Sequence, residues 1–211
     1  MVKGIIFDFD GTLVDSIDVK TNAFAEIYEP YGQLIVEKVI KYHIKNGGIS
    51  RFDKFEYFHN KYLKKQIDSN QILALSDKFS NIVIDKVVDS PFFPGVLEFI
   101  SNRSNFKKFI STATPQVEIV KILKRKKIFN FFDFVQGSPA SKSEHIQQIM
   151  KKYKYNSKEI IYVGDTKSDY MAALKNEVLF VSVKDKFDDD TIVLKNFNEI
   201  TQIVKKLNKK N

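Results

Sequence analysis

The chain of 211 residues contains no cysteine and no tryptophan. Without cysteine it can form no disulfide, no thiolate metal site and no cysteine nucleophile, which suits a reducing compartment. It also lacks any apolar run that approaches the ~20 residues of a membrane-spanning helix. The first apolar stretch begins so close to the N-terminus that we expect no signal peptide. These absences predict a cytoplasmic protein with no membrane partner.

Acidic residues are outnumbered, since 34 Lys and Arg face 26 Asp and Glu and leave a net charge of +8. Such a surplus can attract nucleic acid, membranes or anionic substrates. The lysines, however, form short clusters that are dispersed over separate predicted helices, as on a solvated surface. We therefore predict no nucleic-acid partner, and a monomer or weak dimer. The hydrophobic share of 43% is enough for a genuine core.

Two carboxylates directly follow a short apolar run near the N-terminus. Residues 5–7 are typical of a strand that is buried on both faces, and Asp8 and Asp10 come at its end. Burying two acids beside such a strand is costly unless a cation or hydrogen bonds compensate. In open α/β sheets, ligands bind outside the carboxyl ends of the strands. The stretch therefore predicts a functional site.

The hydrophobic pattern changes twice along the chain. From residue 16 to residue 91 the apolar residues recur at helical spacing, and no strand pattern interrupts them. After Pro94 and Gly95, strand and helix patterns alternate, which is typical of a parallel doubly wound sheet. We predict a Rossmann-like α/β core domain of residues 1–15 and 92–211, with an inserted α-helical domain of residues 16–91.

Polar or small residues follow each predicted core strand, and in a parallel sheet these strand ends share one edge. The residues are Asp8 and Asp10, then Thr112 and Ala113, then Lys142, then Asp165 and Asp169. In order and spacing, the segment 8–12, Thr112, Lys142 and the segment 164–169 resemble the four motifs of the haloacid dehalogenase-like hydrolase superfamily. The resemblance covers nearly the whole chain.

The resemblance implies a phosphatase that hydrolyses a small phosphorylated metabolite through an aspartyl-phosphate. Asp8 would be the nucleophile. Asp10 would protonate the leaving alcohol and then activate water, for which its pKa should be raised toward neutrality. Thr112, Ala113 and Lys142 would hold the phosphoryl oxygens.

A set of carboxylates without histidine or cysteine suits a hard, oxygen-binding cation, of which Mg²⁺ is the usual one. Asp8 and Asp165 would be its direct protein ligands. The backbone carbonyl of Asp10 would contribute a third oxygen, and Asp169 would lie close by. The predicted metal site is therefore Asp8, Asp10, Asp165 and Asp169.

The helical insertion resembles the cap of this superfamily, which closes over the phosphoryl pocket. Its loop from Gly47 to Arg51 resembles the cap loop of the β-phosphoglucomutase branch, in which the arginine contacts the substrate. We therefore expect Arg51 to contact the leaving group. Lys54 and His59 are weaker candidates, and His59 fits packing against neighbouring aromatic residues equally well.

Two alternatives stay open. A phosphomutase of the same superfamily would carry a histidine ten positions after Asp10, where this chain has Lys20; Thr12 also fits the phosphatase pattern. A basic nucleic-acid-binding module on a disabled fold would be expected to lose the acids of the first and last motifs, which are present.

The substrate is open among phosphoglycolate, a sugar phosphate, a phosphorylated amino alcohol and a nucleotide. A role in surface-polysaccharide biosynthesis rests only on a general likeness of the cap loop. The acidic run at 188–190 is expected to be a solvated loop.

Overall fold

The computed structural model describes residues 1–209 of the chain. Within them, six parallel strands form one sheet in the order β3-β2-β1-β4-β5-β6. The strands are β1 (Gly4–Phe7), β2 (Lys107–Pro115), β3 (Phe134–Ser138), β4 (Ile160–Gly164), β5 (Leu179–Ser182) and β6 (Ile192–Val193). The predicted α/β class is confirmed. Residues 210 and 211 of the predicted core domain lie outside the described part.

Strand β1 lies at the centre of the sheet, between β2 and β4. All four of its residues are buried. Ile5 and Phe7 belong to the hydrophobic cluster on one face of the sheet, whereas Ile6 packs with Ile146 and Ile149 in the cluster on the other. Because both faces of the strand are buried, its successive residues are all apolar or small.

Helices cover both faces of the sheet, and capping residues fix the starts of two of them. The core helices are α5 (Val96–Ser101), α6 (Gln116–Arg125), α7 (Lys142–Tyr153), α8 (Lys167–Lys175) and α9 (Glu199–Lys209). Ser141 and Thr166 each form a capping box with the acid three residues later, at the start of α7 and α8. These caps place Lys142 and Asp169 in first turns that face the carboxyl edge of the sheet.

Every regular element between residues 16 and 91, all of which are described, is helical. These elements are α1 (Ile17–Tyr28), a 3-10 turn (Glu29–Tyr31), α2 (Gln33–Lys45), α3 (Arg51–Phe58), a π-helical turn (His59–Leu63) and α4 (Ser69–Asp89). The insertion matches the predicted helical character, and residues 16–91 stay our proposed extent of the cap. No helix in the described part of the chain has the length and apolarity needed to cross a bilayer.

The two chain crossings between the core and the insertion lie side by side. Val14 and Phe92 form an antiparallel bridge. The amide of Phe93 donates to the carbonyl of Leu13 at 3.1 Å, and the amide of Asp15 donates to the carbonyl of Pro91 at 3.0 Å. Main-chain hydrogen bonds therefore join the outgoing and returning segments into a short ribbon.

An aromatic cluster fills the centre of the cap. The ring of Phe24 lies 4.6 Å from that of Phe79, 5.5 Å from that of Phe55 and 5.8 Å from that of Phe58, in tilted or edge-to-face geometry. All four side chains are at most 2% exposed. Large buried rings of this kind bury much apolar surface and dominate the packing energy of a core.

We predict that Phe58→Ala lowers the free energy of unfolding by about 3–5 kcal/mol, because it leaves a cavity in this cluster. The matched control is Leu73→Ala on α4, where the side chain is 54% exposed and the expected change is within about 0.5 kcal/mol. Urea unfolding of the full chain measures both. Equal midpoints for the two variants would contradict the role of the cluster.

Candidate active site

The carboxyl edge of the sheet opens into a cavity of about 290 Å³ beneath the helical insertion. Five of the predicted core residues line it, namely Asp8, Asp10, Thr112, Ala113 and Asp165. Arg51 and Lys54 line it from the insertion. The remaining two predicted residues, Lys142 and Asp169, are buried in contact with this lining.

Three buried carboxylates meet around one ammonium at the edge of the sheet. One oxygen each of Asp8, Asp165 and Asp169 lies within 4.8 Å of the others. The Nζ atom of Lys142 lies 2.6 Å from Asp8 Oδ2 and 2.6 Å from Asp169 Oδ1. Burial and the neighbouring acids raise the pKa of Asp8 well above its usual range, although Lys142 opposes this. Lys142 alone therefore does not neutralise the three carboxylates, and a divalent cation would supply the missing positive charge.

Asp169 is less suited to direct metal ligation than the other two acids. Its Oδ1 accepts hydrogen bonds from Lys142 and, at 2.9 Å, from the hydroxyl of Tyr162. Its Oδ2 accepts from the amide and the hydroxyl of Thr166, at 3.0 and 2.5 Å. With four donors bound, Asp169 orients Lys142 and leaves Asp8 and Asp165 as the better-placed ligands.

Glycine is required beside Asp165. The backbone of Gly11 has a φ of +78°, and a Cβ atom there would lie 2.5 Å from Asp165 Oδ2. The turn after Asp10 can therefore pass directly over the carboxylate. Thr12 follows and donates its hydroxyl to Asp165 Oδ1 at 3.0 Å, which fixes the orientation of that acid.

Asp10 points to the insertion. Its carboxylate forms an ion pair with Lys20 of α1 and accepts hydroxyl hydrogen bonds from Ser16 at 2.6 Å and Thr114 at 2.8 Å. Burial would raise the pKa of Asp10, but the charge of Lys20 and these hydrogen bonds outweigh burial and hold the pKa below its usual value. The expectation of a raised pKa was therefore wrong, because the position of the Lys20 ammonium was not foreseen.

Arg51 lines the cavity with its charge already matched. Its Nη1 and Nη2 atoms lie 2.8 and 2.6 Å from the two carboxylate oxygens of Glu118, on core helix α6. The guanidinium also donates to Ser80 at 2.9 Å and lies 4.3 Å from the ring centre of Phe79. Both partners of the ion pair are about 5% exposed or less. The predicted contact of Arg51 with the leaving group stays a prediction; the observed contact joins cap and core.

The two weaker cap candidates differ in placement. His59 packs in the aromatic cluster, with Nδ1 3.1 Å from the hydroxyl of Tyr28 and 3.0 Å from the carbonyl of Phe55, and it does not line the cavity. Lys54 lines the cavity and lies 2.9 Å from Nδ1 of His43.

Several site residues were missed by reasoning from the sequence. They are Thr114, His43 and Glu118, together with the role of Lys20 as a partner of Asp10. The available signals were weak: Thr114 lies two residues after Thr112 on one strand, and His43 is one of three histidines. Glu118 reads as an ordinary first-turn acid of a helix.

The cap loop closes directly on the loop of the fourth motif. A Cβ atom on Gly48 would lie 2.5 Å from Cβ of Ser168 and 2.6 Å from Oγ1 of Thr166. No side chain larger than hydrogen fits there without movement. Gly48 of the predicted cap loop thus allows the cap to approach the edge of the sheet that carries the buried carboxylates.

The haloacid dehalogenase-like hydrolase family model matches residues 5–183. The chain belongs to this family. A phosphoglycolate phosphatase of Synechococcus elongatus is 25% identical over 89% of this chain and 86% of its own length. A phosphorylated carbohydrates phosphatase of Thermotoga maritima is 21% identical over 82% of this chain and 80% of its own.

Solved structures share the fold. The β-phosphoglucomutase of Clostridium difficile has a TM-score of 0.81 at 20% identity, covering 99% of this chain and 98% of that one. A predicted phosphatase of Clostridium acetobutylicum has a TM-score of 0.77 at 19% identity, covering 98% and 99%. The predictions of this family and of a phosphatase within it are confirmed. The substrate, the metal and the intermediate stay predictions.

We predict that Glu118→Ala lowers the free energy of unfolding by about 3–5 kcal/mol, because it leaves the buried Arg51 guanidinium without its counter-ion. The control is Asp85→Ala, which removes the partner of Arg125 in an exposed ion pair and should leave the unfolding midpoint unchanged. Thermal unfolding of both variants is the measurement. A Glu118→Ala midpoint equal to that of the control would show that the buried Arg51 guanidinium does not need Glu118 as its counter-ion.

Proposed function

We propose that this protein is a Mg²⁺-dependent phosphatase that hydrolyses small phosphate monoesters through an aspartyl-phosphate on Asp8. The observation that carries the proposal is the meeting of three buried carboxylates around the ammonium of Lys142, at the wall of the cavity. The phosphatase relatives support the same reaction class.

The donor set fits a hard divalent cation. Three carboxylates against one ammonium leave two negative charges, and all candidate ligand atoms are oxygens. Asp8 and Asp165 would hold the ion, with the carbonyl of Asp10. Bound there, Mg²⁺ would offset the repulsion between the acids and polarise the phosphoryl group.

Asp8 is oriented for attack by its own hydrogen bonds. Its Oδ1 accepts from the amide of Phe9 at 2.6 Å, and its Oδ2 accepts from Lys142. In the first step a carboxylate oxygen forms a bond to phosphorus while the bond from phosphorus to the leaving oxygen breaks. Thr112 and Ala113 line the cavity beside Asp8 and are proposed to bind the phosphoryl oxygens, with Lys142 supplying positive charge.

Asp10 is proposed to give its proton to the leaving alkoxide. It then takes a proton from the water that attacks phosphorus, which breaks the bond to Asp8 and releases phosphate. Lys20, Ser16 and Thr114 fix the orientation of its carboxylate. The lowered pKa keeps Asp10 ionised before the substrate binds, so the proposed transfer to the leaving alkoxide requires Asp10 to take up a proton on substrate binding.

The residue at position 20 favours hydrolysis over mutase activity. Lys20 stands where the mutase pattern has histidine, and it bonds both Asp10 and, at 2.7 Å, Thr114. Conversion of β-glucose 1-phosphate to glucose 6-phosphate would instead support the mutase. A cytoplasmic location, a monomer or weak dimer, and the absence of a nucleic-acid partner stay predictions.

Turnover of p-nitrophenyl phosphate with Mg²⁺ tests the proposal. We expect EDTA to abolish activity and added Mg²⁺ to restore it, and Asp8→Asn to lower kcat by at least about 10³-fold because the nucleophile is lost. The control is Asp189→Asn in the exposed acidic loop, with unchanged kcat. Metal-independent turnover, or near-normal activity of Asp8→Asn, would refute the mechanism.

A further inference from the structure

The cavity lining contains one buried cation that no carboxylate matches. Among the described residues, Lys20 is paired with Asp10 and Arg51 with Glu118. Lys54 also lines the cavity and is 2% exposed. Within the described part of the chain, no carboxylate lies within 4.0 Å of its ammonium.

Neutral groups hold the Lys54 ammonium in place. Its Nζ atom lies 2.9 Å from Nδ1 of His43 and 3.5 Å from the carbonyl of Gly47, and it lies 5.7 Å from the ring centre of Phe24. Burial and the Lys54 charge lower the pKa of His43 to about 3, so the imidazole is neutral. Its Nδ1 can then accept from the ammonium, which places the ring proton on Nε2.

The surroundings of Lys54 favour a bound anion. Burial lowers its pKa to about 7, and Lys20, Lys142 and Arg51 push it in the same direction. A buried ammonium without a counter-ion is costly. An anionic group in the cavity would offset that cost. The phosphoryl group is proposed to bind on the core side, at Asp8 and Lys142, so the anion beside Lys54 would belong to another part of the substrate.

We propose that Lys54 binds a carboxylate on the leaving group, with His43 as the residue that positions its ammonium. The preferred substrates are then phosphate esters of short hydroxy acids. This inference rests on the proposed phosphatase function and adds the substrate class to it.

A carboxylate fits better than a second phosphate group. A phosphate dianion would bring two charges to one unmatched ammonium, since the guanidinium of Arg51 is neutralised by Glu118. The cavity of about 290 Å³ has room for a small leaving group beyond the phosphoryl group. The lysines at the cavity mouth, Lys45, Lys167 and Lys184, are exposed and add only general attraction for anions.

Two nearly isosteric esters test the proposal without any mutation. In 2-hydroxyethyl phosphate a hydroxymethyl group replaces the carboxylate of 2-phosphoglycolate. We expect the wild-type protein with Mg²⁺ to show a kcat/KM for phosphoglycolate that is about 10²-fold higher, because only this ester places an anion beside Lys54. The third arm is 1,2-ethanediol bisphosphate, which we expect to be the poorer anionic substrate.

The variant Lys54→Met, of similar length and without charge, should reduce the preference for phosphoglycolate over hydroxyethyl phosphate by about 10²-fold. The matched control is Lys41→Met, an exposed lysine on the same cap that does not line the cavity. It should leave the ratio of the two kcat/KM values unchanged.

The outcomes separate the two proposals. Three outcomes would overturn the carboxylate inference and leave the phosphatase function intact. They are equal turnover of hydroxyethyl phosphate and phosphoglycolate by the wild-type protein, a preference for the bisphosphate, and a preference for phosphoglycolate that survives Lys54→Met. Wild-type turnover of p-nitrophenyl phosphate but of none of the three esters would also overturn it. Failure on every substrate, p-nitrophenyl phosphate included, would count against the phosphatase function itself.

Discussion

The ammonium of Lys142 is in contact with two of the three carboxylates that the fold buries at one edge of its sheet. Asp8 follows β1, Asp169 belongs to α8 and Lys142 begins α7, so three elements meet at this charge. Without the Lys142 ammonium, the central strand would end in buried acids that repel one another, at a cost of several kcal/mol. The capping boxes fix the first turns of α7 and α8, and the hydroxyl of Tyr162 holds the Asp169 carboxylate in contact with Lys142.

The cap repeats the same principle at its own boundary. Helix α1 supplies Lys20 to Asp10, and helix α3 supplies Arg51 to Glu118. In each pair the cation comes from the insertion and the anion from the core. Charges that are matched between core and insertion thus lie along the cavity. Lys54, the buried cation of the described lining that no carboxylate matches, is the one that we assign to the substrate.

The sequence predicted what is local and missed what depends on distant contacts. Asp8 and Asp165 each follow an apolar strand, and Lys142 follows a capping serine, so their meeting at one edge could be inferred from topology alone. The partner of Arg51 could not, because Glu118 is 67 residues away and on another part of the fold. The pKa of Asp10 was misjudged for the same reason: its direction is set by the placement of one flexible lysine side chain.

The ribbon formed by the two crossings, at Val14 and Phe92, has a mechanical consequence. Because main-chain hydrogen bonds join the crossings, a rotation of the insertion relative to the core would have to bend both crossings together. A rotation that exposes the cavity would also separate the two ion pairs between insertion and core, Lys20–Asp10 and Arg51–Glu118. Opening of the cavity would therefore have an electrostatic cost.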